Sequence, residues 1–409
     1  MAGDWPEAIW SDIAELKYGK AMTAYTDQPN VARVYGTNGP IGWHNTALQP
    51  GPGVIVGRKG AYRGVHYTDQ PFWVIDTAYY LKPLVPMDLR WAYYWLLDYD
   101  VNNIDDGSPI PSTTREAFGF TPLKFPPLDE QARIGDLLSS LDAKIDLNRQ
   151  MAATLEDMVR ALFKSWFVDF DPVHAKSEGR DTGLPADIAE LFPNGFNDEG
   201  LPTGWARIKY GNACSSIYSG GTPTTGRKDF WNGGIPWLSS GETRNHFIVT
   251  TEKTISEMGA SNSSTRLAPA MATVVATAGQ GATRGQTSIL GFDTYINQST
   301  AALLANKALV SNAYLYTDMS GRYDELRAIS DSQSSRGSLT TKILADLNIV
   351  SPTHPVVSAF TAFADATFEQ IFEIERSALT LIDTRKSLLP KLLSGELRVD
   401  DATDSIAAA

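Results

Sequence analysis

Two helical seams constrain this chain more than any other feature. In residues 127–170, Ile134, Leu138, Leu141, Ile145, Asn148, Ala152, Leu155, Val159, Leu162 and Trp166 recur at alternating steps of four and three, and nine of the ten are apolar. A stripe of that spacing runs along one face of a long helix and needs a partner helix to cover it. Near the other end of the chain Phe360, Ala364, Thr367, Ile371, Ile374, Ala378, Leu381, Arg385, Leu388 and Leu392 keep the same alternation. The spacing predicts two long helices, starting about 230 residues apart, that pair with each other. Asn148 either fixes their register or borders a hydrated gap.

A chain of 409 residues exceeds what one hydrophobic core usually organises, so two or more domains are expected. Its single cysteine, Cys214, excludes an internal disulfide and suits a reducing compartment. No Cys and His cluster offers a zinc site, and His44, His66, His246 and His354 show no ligand spacing. The opening MAGDWPEAIW has no basic segment followed by an apolar run, and no stretch approaches the ~20 apolar residues of a membrane span. The expectation is a soluble, cytoplasmic protein.

A net charge of −12 is unfavourable for phosphate contact, but it is unevenly spread. Residues 1–125 carry −3, 126–200 carry −8, 201–350 carry +3 and 351–409 carry −4. The acidity thus lies mostly in the helical segments and the linker, which suits a solvated or protein-facing role.

Taken in order, residues 1–125 mix strand-like runs such as Gly53–Val56 and Phe72–Ile75 with Gly and Pro turns, and RWAYYWLLDY at 90–99 reads as an aromatic helix packed in a core. The long helix opens after Pro126 and Pro127, with Asp129 and Glu130 at its positive end. Pro172 is expected to stop it near Asp171, placing His174 in a turn. Residues 173–200 read as an ordered linker with a short helix at Ala186–Phe192, and a second loop-rich domain covers 201–350. The second long helix lies within 351–397, with Pro390 interrupting its last turn, and 398–409 read as a disordered tail.

An internal repeat sharpens this outline. GAYRG at 60–64 matches GATRG at 281–285 at an offset of 221, and Thr77 and Ala78 match Thr300 and Ala301 at 223. Thr113, Thr114 and Arg115 resemble Thr340, Thr341 and Lys342 at 227, each set preceding a long helix. The order of domain, helix, domain, helix is duplicated, so two copies in one chain can pack about a pseudo-two-fold axis.

The residues also carry a family resemblance. The second half opens LPTGWARIKYG, continues YSGGTP at 218–223 and GIPWLSSGE at 234–242, and closes SLLPKLLSGEL at 387–397. The first half has VYGTNGPIG at 34–42, VGRKGAYRG at 56–64, PLDEQARI and WFVDFDPVH. Across nearly the whole chain this resembles the DNA specificity subunit of type I restriction-modification systems. The first half departs from the pattern at its start, where DWPEAIW replaces the fuller opening and no GGTP follows.

The resemblance implies an α+β fold with two loop-rich target-recognition domains, at 1–125 and 201–350. A central helix (126–172) and a C-terminal helix (351–397) would pair antiparallel as an intramolecular coiled coil. It implies a non-catalytic subunit that reads a split, asymmetric duplex target, docks two methyltransferase subunits on its helices and is joined by restriction subunits. S-adenosylmethionine would sit on the methyltransferase partners, with no cofactor on this chain. A helix of about 35 residues is about 50 Å long at 1.5 Å per residue, against about 34–36 Å for one DNA turn. Such a pair can set two readers about one turn apart.

For DNA contact, the loop Arg58–Gly64 supplies Arg58, Lys59, Tyr62 and Arg63, and its counterpart supplies Gln280, Thr283 and Arg284. A tight turn with solvated charge is the bland alternative. If the halves read different sequences, shared residues should position DNA and unshared ones should specify it. Arg63 and Arg284 are then expected on phosphates. Base readers are expected among Tyr35, Thr37, Asn38 and His44 in the first half and Thr222, Ser239, Glu242, Arg244 and Asn245 in the second. Phe163, Trp166 and Phe167 either anchor a partner subunit or close a core, and Trp231 and Trp237 read as packing.

Two other classes compete. A methyltransferase or nuclease would need a cofactor loop, an Asn-Pro-Pro-aromatic tetrapeptide, a Walker lysine or a carboxylate metal set; none is legible, and the repeated domains already use about 270 residues. A coiled-coil adaptor would share the helices but lack sequence preference for DNA.

Overall fold

Both seams are helical. In the computed structural model, which describes residues 5–104, 111–279, 281–332 and 338–407, with side chains as far as 403, the two long helices run Leu128–Phe167 and His354–Ser394. The chain forms two compact units, Met1–Asp146 with Leu379–Ala409, and Leu147–Ala378. Each long helix therefore contributes residues to both.

In the first unit, four antiparallel strands lie in the order Ala14–Tyr18, Ala78–Pro83, Gly53–Gly57, Val65–Thr68. A second sheet places Ala32–Gly36 antiparallel to Gly39–His44 and parallel to Phe72–Val74. Glu7–Ile9 pairs with Pro122–Lys124. The aromatic stretch is the helix Leu89–Tyr99, started by Asp88, whose carboxylate accepts from the backbone N–H of Arg90 (2.8 Å) and Trp91 (3.0 Å). Trp91 and Trp95 from that helix, with Phe118, surround the fully buried Trp10, and this core takes in Leu138 and Leu141 from the first long helix and Leu388 and Leu392 from the second.

The second unit repeats the plan. Its main sheet runs Cys214–Ser219, Thr300–Ala305, Thr273–Ala276, Thr287–Leu290, with Phe247–Ile248 added in parallel at the edge. In its other sheet Trp231–Leu238 is antiparallel to Lys253–Ile255 and parallel to Thr294–Ile296, which Arg266–Ala268 flanks. Ala206–Lys209 pairs with Asn348–Ser351 as the closing ladder. The same strand order and the same antiparallel-then-parallel pattern recur in both units. Equivalent positions drift from an offset of 200 (Ala14 to Cys214) to 222 (Ala78 to Thr300), because the intervening loops differ in length.

Two local devices are duplicated with it. Gly19 and Gly220 follow the first strand of the main sheet, where an added Cβ would meet Ile75 O at 2.1 Å and Ile296 O at 1.8 Å respectively. Only glycine lets that strand end pass so close to the second sheet. Thr114 and Thr340 cap the helices Arg115–Gly119 and Thr341–Asp346 by accepting from Ala117 N and Ile343 N, both at 3.2 Å. The equivalence in this stretch is thus Thr114 with Thr340, one residue off the offset of 227 read from the sequence.

Within each unit the long helices pack antiparallel. In the first, Asp142 pairs with Arg385, and Tyr94 Oη donates to the other oxygen of Asp142 (2.7 Å). In the second, Asn148 Nδ2 donates to Ser377 Oγ (3.2 Å) and the ring of Phe163 lies 5.6 Å from that of Phe360. Asn148 is therefore a satisfied seam polar group, and Arg385 a paired one.

Several boundaries differ from expectation. The first long helix ends at Phe167, because Phe170 takes a left-handed backbone (φ 54°), and Pro172 sits in the first turn of a new helix, Asp171–Ser177. Proline is tolerated there since that N–H has no helical acceptor. His174 lies on this helix, 4.5 Å from the ring of Phe196, not in a turn. The short linker helix spans only Ala186–Ala189. Pro390 is carried within the second long helix, which continues to Ser394. The tail expected to be disordered forms the helix Val399–Ala407, with Val399 and Ala402 buried in the first unit's core. Among the described residues no helix is long and apolar enough to cross a membrane.

Candidate nucleic-acid interface

The loop residues separate into an exposed set and a set that the fold consumes. In the first unit Asn38, Lys59 and Tyr62 are exposed, Tyr62 at 80%. Thr37 is half-buried, its hydroxyl donating to Thr77 O (2.5 Å). His44 lies 5.6 Å from the Trp73 ring at a tilt of 58° and contacts Thr46 through Nδ1. Tyr35 is buried against Ile55 and Phe72, which removes it from the candidate readers.

Arg63 is the main correction. It is 3% exposed, with Nη1 donating to Ile104 O (2.7 Å) and Thr113 Oγ1 (3.1 Å) and Nη2 to Asn102 O (2.9 Å). Its planar fork ties two chain segments together and is out of reach of phosphate. Arg284 behaves similarly: its side chain is 14% exposed and pairs with Asp331. The shared arginines hold the frame of the fold, so the rule that shared residues touch phosphate does not apply to them. Thr283 is half-buried beside Gly279, while Gln280 lies outside the described residues.

In the second unit Glu242 is 3% exposed, one oxygen accepting from Ser239 N (2.8 Å) and Oγ (3.0 Å) and the other from Glu252 N (2.8 Å). It is a capping-box carboxylate, not a base reader. Arg244 and Asn245 are exposed, with Arg244 bound to Gly241 O (2.8 Å) and Glu252. Thr222 donates to Gln298 Oε1. Trp237 is buried and donates to Gly221 O (3.2 Å), its ring 5.1 Å from that of Trp231, which is a packing role.

Phe163, Trp166 and Phe167 are 6%, 5% and 2% exposed and pack on Tyr314, Phe192 and Phe360. They close the second unit's core and cannot anchor a partner. The exposed large apolar side chains of the first long helix are instead Leu128, Leu147, Met151 and Met158. Leu147 and Met151, with Leu155 and Ile374, line an open groove of about 710 Å³ in the second unit.

One cationic cluster escaped the sequence reading. Tyr18, 47% exposed at the end of its strand, has the guanidinium of Arg58 5.0 Å and that of Arg115 4.8 Å from its ring centroid. Its strand neighbour Tyr79 lies 5.0 Å away, with a hydroxyl pushed up to about 12 by burial and by its hydrogen bond with Tyr18. Three distant segments build this group, so spacing alone could not reveal it. By strand register Tyr18 corresponds to Ser219, so the internal repeat gave no signal for it either. Among the described residues no group of acidic, His or Cys side chains is arranged to hold a metal ion.

Comparison with known proteins gives a consistent result. Residues 3–157 match the family described as Type I restriction modification DNA specificity domain. The HindI specificity subunit of a type I restriction enzyme from Haemophilus influenzae is 26% identical over 332 residues, covering 70% of this chain and 72% of the relative. The MjaIX specificity subunit of Methanocaldococcus jannaschii is 22% identical over 301 residues, covering 74% and 66%. A type I restriction-modification S subunit from M. genitalium shares the fold, with a TM-score of 0.64 at 15% identity over 95% of this chain and 96% of the other. Residues 3–157 thus match the Type I restriction modification DNA specificity domain, and over most of its length the chain is similar to specificity subunits of type I restriction enzymes.

Proposed function

We propose that each unit reads one half of a split, asymmetric duplex target. The paired long helices form one intramolecular coiled coil that sets the gap between the halves and docks two methyltransferase subunits. Restriction subunits join the larger complex. The chain itself recognises and does not catalyse; S-adenosylmethionine belongs to the methyltransferase partners. The observation that carries this reading is the duplication of one two-sheet topology in two units, each completed by segments of both long helices. Two readers that share a frame but not their loops can hold different half-sites.

Base contacts in this reading come from the unshared loops, with Asn38 and the half-buried His44 in the first unit and the exposed Arg244 and Asn245 in the second, and from Tyr62, an exposed residue that differs between the two copies of the shared loop. Docking uses the outward apolar face of the first long helix at Leu147 and Met151. The deciding experiment is the genome-wide methylation motif of cells that make this chain with its methyltransferase partner. A two-part motif with a fixed gap is expected. A single continuous motif, or complexes that bind duplexes with no preference at any salt, would overturn the reading.

A further inference from the structure

The cluster at Tyr18 is built in a way the recognition fold does not require. Arg58 is anchored through its backbone, which donates to Thr77 O (3.1 Å) and accepts from Thr113 N (2.9 Å), and Nη1 donates to Asp76 O (2.9 Å). Arg115 opens the helix capped by Thr114. Both guanidiniums are thus led to one aromatic ring from distant stretches of the domain sequence. Among the described residues neither has a carboxylate within ion-pair distance, although Arg58 touches the Asp76 carbonyl and Glu116 follows Arg115 in sequence, and the same holds for Lys20 and Lys59. Lys20 is pinned by its backbone, its N–H donating to Val74 O (2.8 Å) and its carbonyl accepting from Trp73 Nε1 (2.9 Å), while its side chain is exposed.

Several exposed arginines of this acidic chain are matched with acids: Arg227 with Asp229, Arg244 with Glu252, Arg180 with Glu178 and Arg133 with Asp400. Two like charges held within one Debye length, with no ion-paired acid among the described residues, favour the arrival of an anion. Each guanidinium carries five N–H donors, and Arg58 commits Nη1 to Asp76 O, so donors remain on both for phosphate oxygens.

We propose that Arg58 and Arg115, splayed on the Tyr18 ring and flanked by Lys20 and Lys59, form a backbone-phosphate seat for DNA that only the first unit possesses. By strand register the second unit has Ser219 at this position, directly before Gly220; its neighbour Tyr218 is 8% exposed, donates its hydroxyl to Leu267 O (2.6 Å) and carries one guanidinium, Arg266, at 4.0 Å. The position equivalent to Tyr18 thus carries no ring in the second unit. The two units therefore grip DNA unequally, the first adding affinity that is blind to sequence.

This inference rests on the proposed reading, and the test separates the two. The full chain assembled with its methyltransferase subunits is titrated with a duplex carrying its methylation motif and with an unrelated duplex, from about 50 to 200 mM KCl. Arg58→Gln, Arg115→Gln and the double variant are compared with wild type, with Arg115→Lys as the charge-preserving control and thermal unfolding as the check on folding. Each Gln substitution should weaken both duplexes by the same factor and flatten the salt slope by about one. The affinity ratio across that salt range should then shrink about 3.5-fold per arginine. Arg115→Lys should retain the wild-type slope. Unchanged affinity and slope, or a changed preference at the first half-site, would overturn the seat while leaving the recognition reading intact. A wild-type complex without sequence preference would overturn both.

Discussion

His246 Nδ1 lies 2.9 Å from Glu156 Oε2, joining the loop that carries Arg244 and Asn245 to the first long helix. The other oxygen of Glu156 accepts from Arg160 (2.5 Å) and from the buried Tyr316 hydroxyl (3.2 Å). One residue further on, Phe247 packs on Phe368 and Phe372 of the second long helix. Both helices therefore hold this loop, one by a polar knot and one by aromatic packing. Burial opposes charge on Glu156, but hydrogen bonds and charge from His246 and Arg160 outweigh it and hold the carboxyl below the usual glutamate range.

The pH dependence follows from that lowered pKa. The stabilisation is complete above the ordinary glutamate value of about 4.3 and is lost as pH falls through the lower value of the folded chain. Glu156→Gln should lower the urea midpoint at pH 7, costing about 1–3 kcal/mol since Arg160 and Tyr316 lose a charged acceptor. The variant should also show a flatter loss of stability between pH 5 and 3 than wild type. Parallel acid limbs for the two proteins would remove Glu156 from this role.

Arg63→Lys tests whether the shared arginines are frame or phosphate contacts. A single ammonium cannot reproduce the fork that reaches Ile104 O, Asn102 O and Thr113 Oγ1, so the first unit should lose about 1–3 kcal/mol in thermal or urea unfolding. For the folded fraction the salt slope of DNA binding should stay unchanged. A flatter slope with unaltered stability would instead return Arg63 to the DNA surface.

The contrast between Arg63 and the seams shows where sequence reading reaches. A stripe such as Ile134, Leu138, Leu141 and Ile145 encodes its helix locally, and all four are buried as the spacing requires. An arginine in a glycine-rich loop looks the same whether its donors face carbonyls or solvent, and only tertiary folding decides. Glu242 was legible in principle, because SSGE at 239–242 is a capping-box pattern at the start of a helical turn. Val399 and Ala402 are too few to announce a helix, and their burial depends on a core assembled from distant segments. Phe163, Trp166 and Phe167 pointed equally to a core or an interface until Phe360 and Tyr314 were found against them.

Cys214 gives a simple chemical check. It is buried, and burial pushes its thiol up to about 12, so the nucleophilic thiolate is scarce at neutral pH. The native chain should resist iodoacetamide at pH 8, and the same reagent should label it stoichiometrically in urea. Rapid native labelling would mean that the strand Cys214–Ser219 opens readily.

The strongest demand of the proposed function falls on the helix pair, because its length should set the gap in the DNA target. Inserting one heptad after Asp146 in the first helix and one before Leu379 in the second preserves the seam and lengthens the pair by about 10 Å at 1.5 Å per residue. At about 3.4 Å per base pair, from about 34–36 Å per turn, this matches about three base pairs. The methylation motif should keep both half-sites and widen its gap by that amount. Affinity should fall somewhat, since three base pairs also rotate one half-site about a third of a turn around the duplex axis while the heptad keeps the helix faces aligned. Sequencing the motif of cells carrying the lengthened subunit decides the matter: an unchanged gap would show that the helices do not measure the target, and an altered half-site would show that they help to read it.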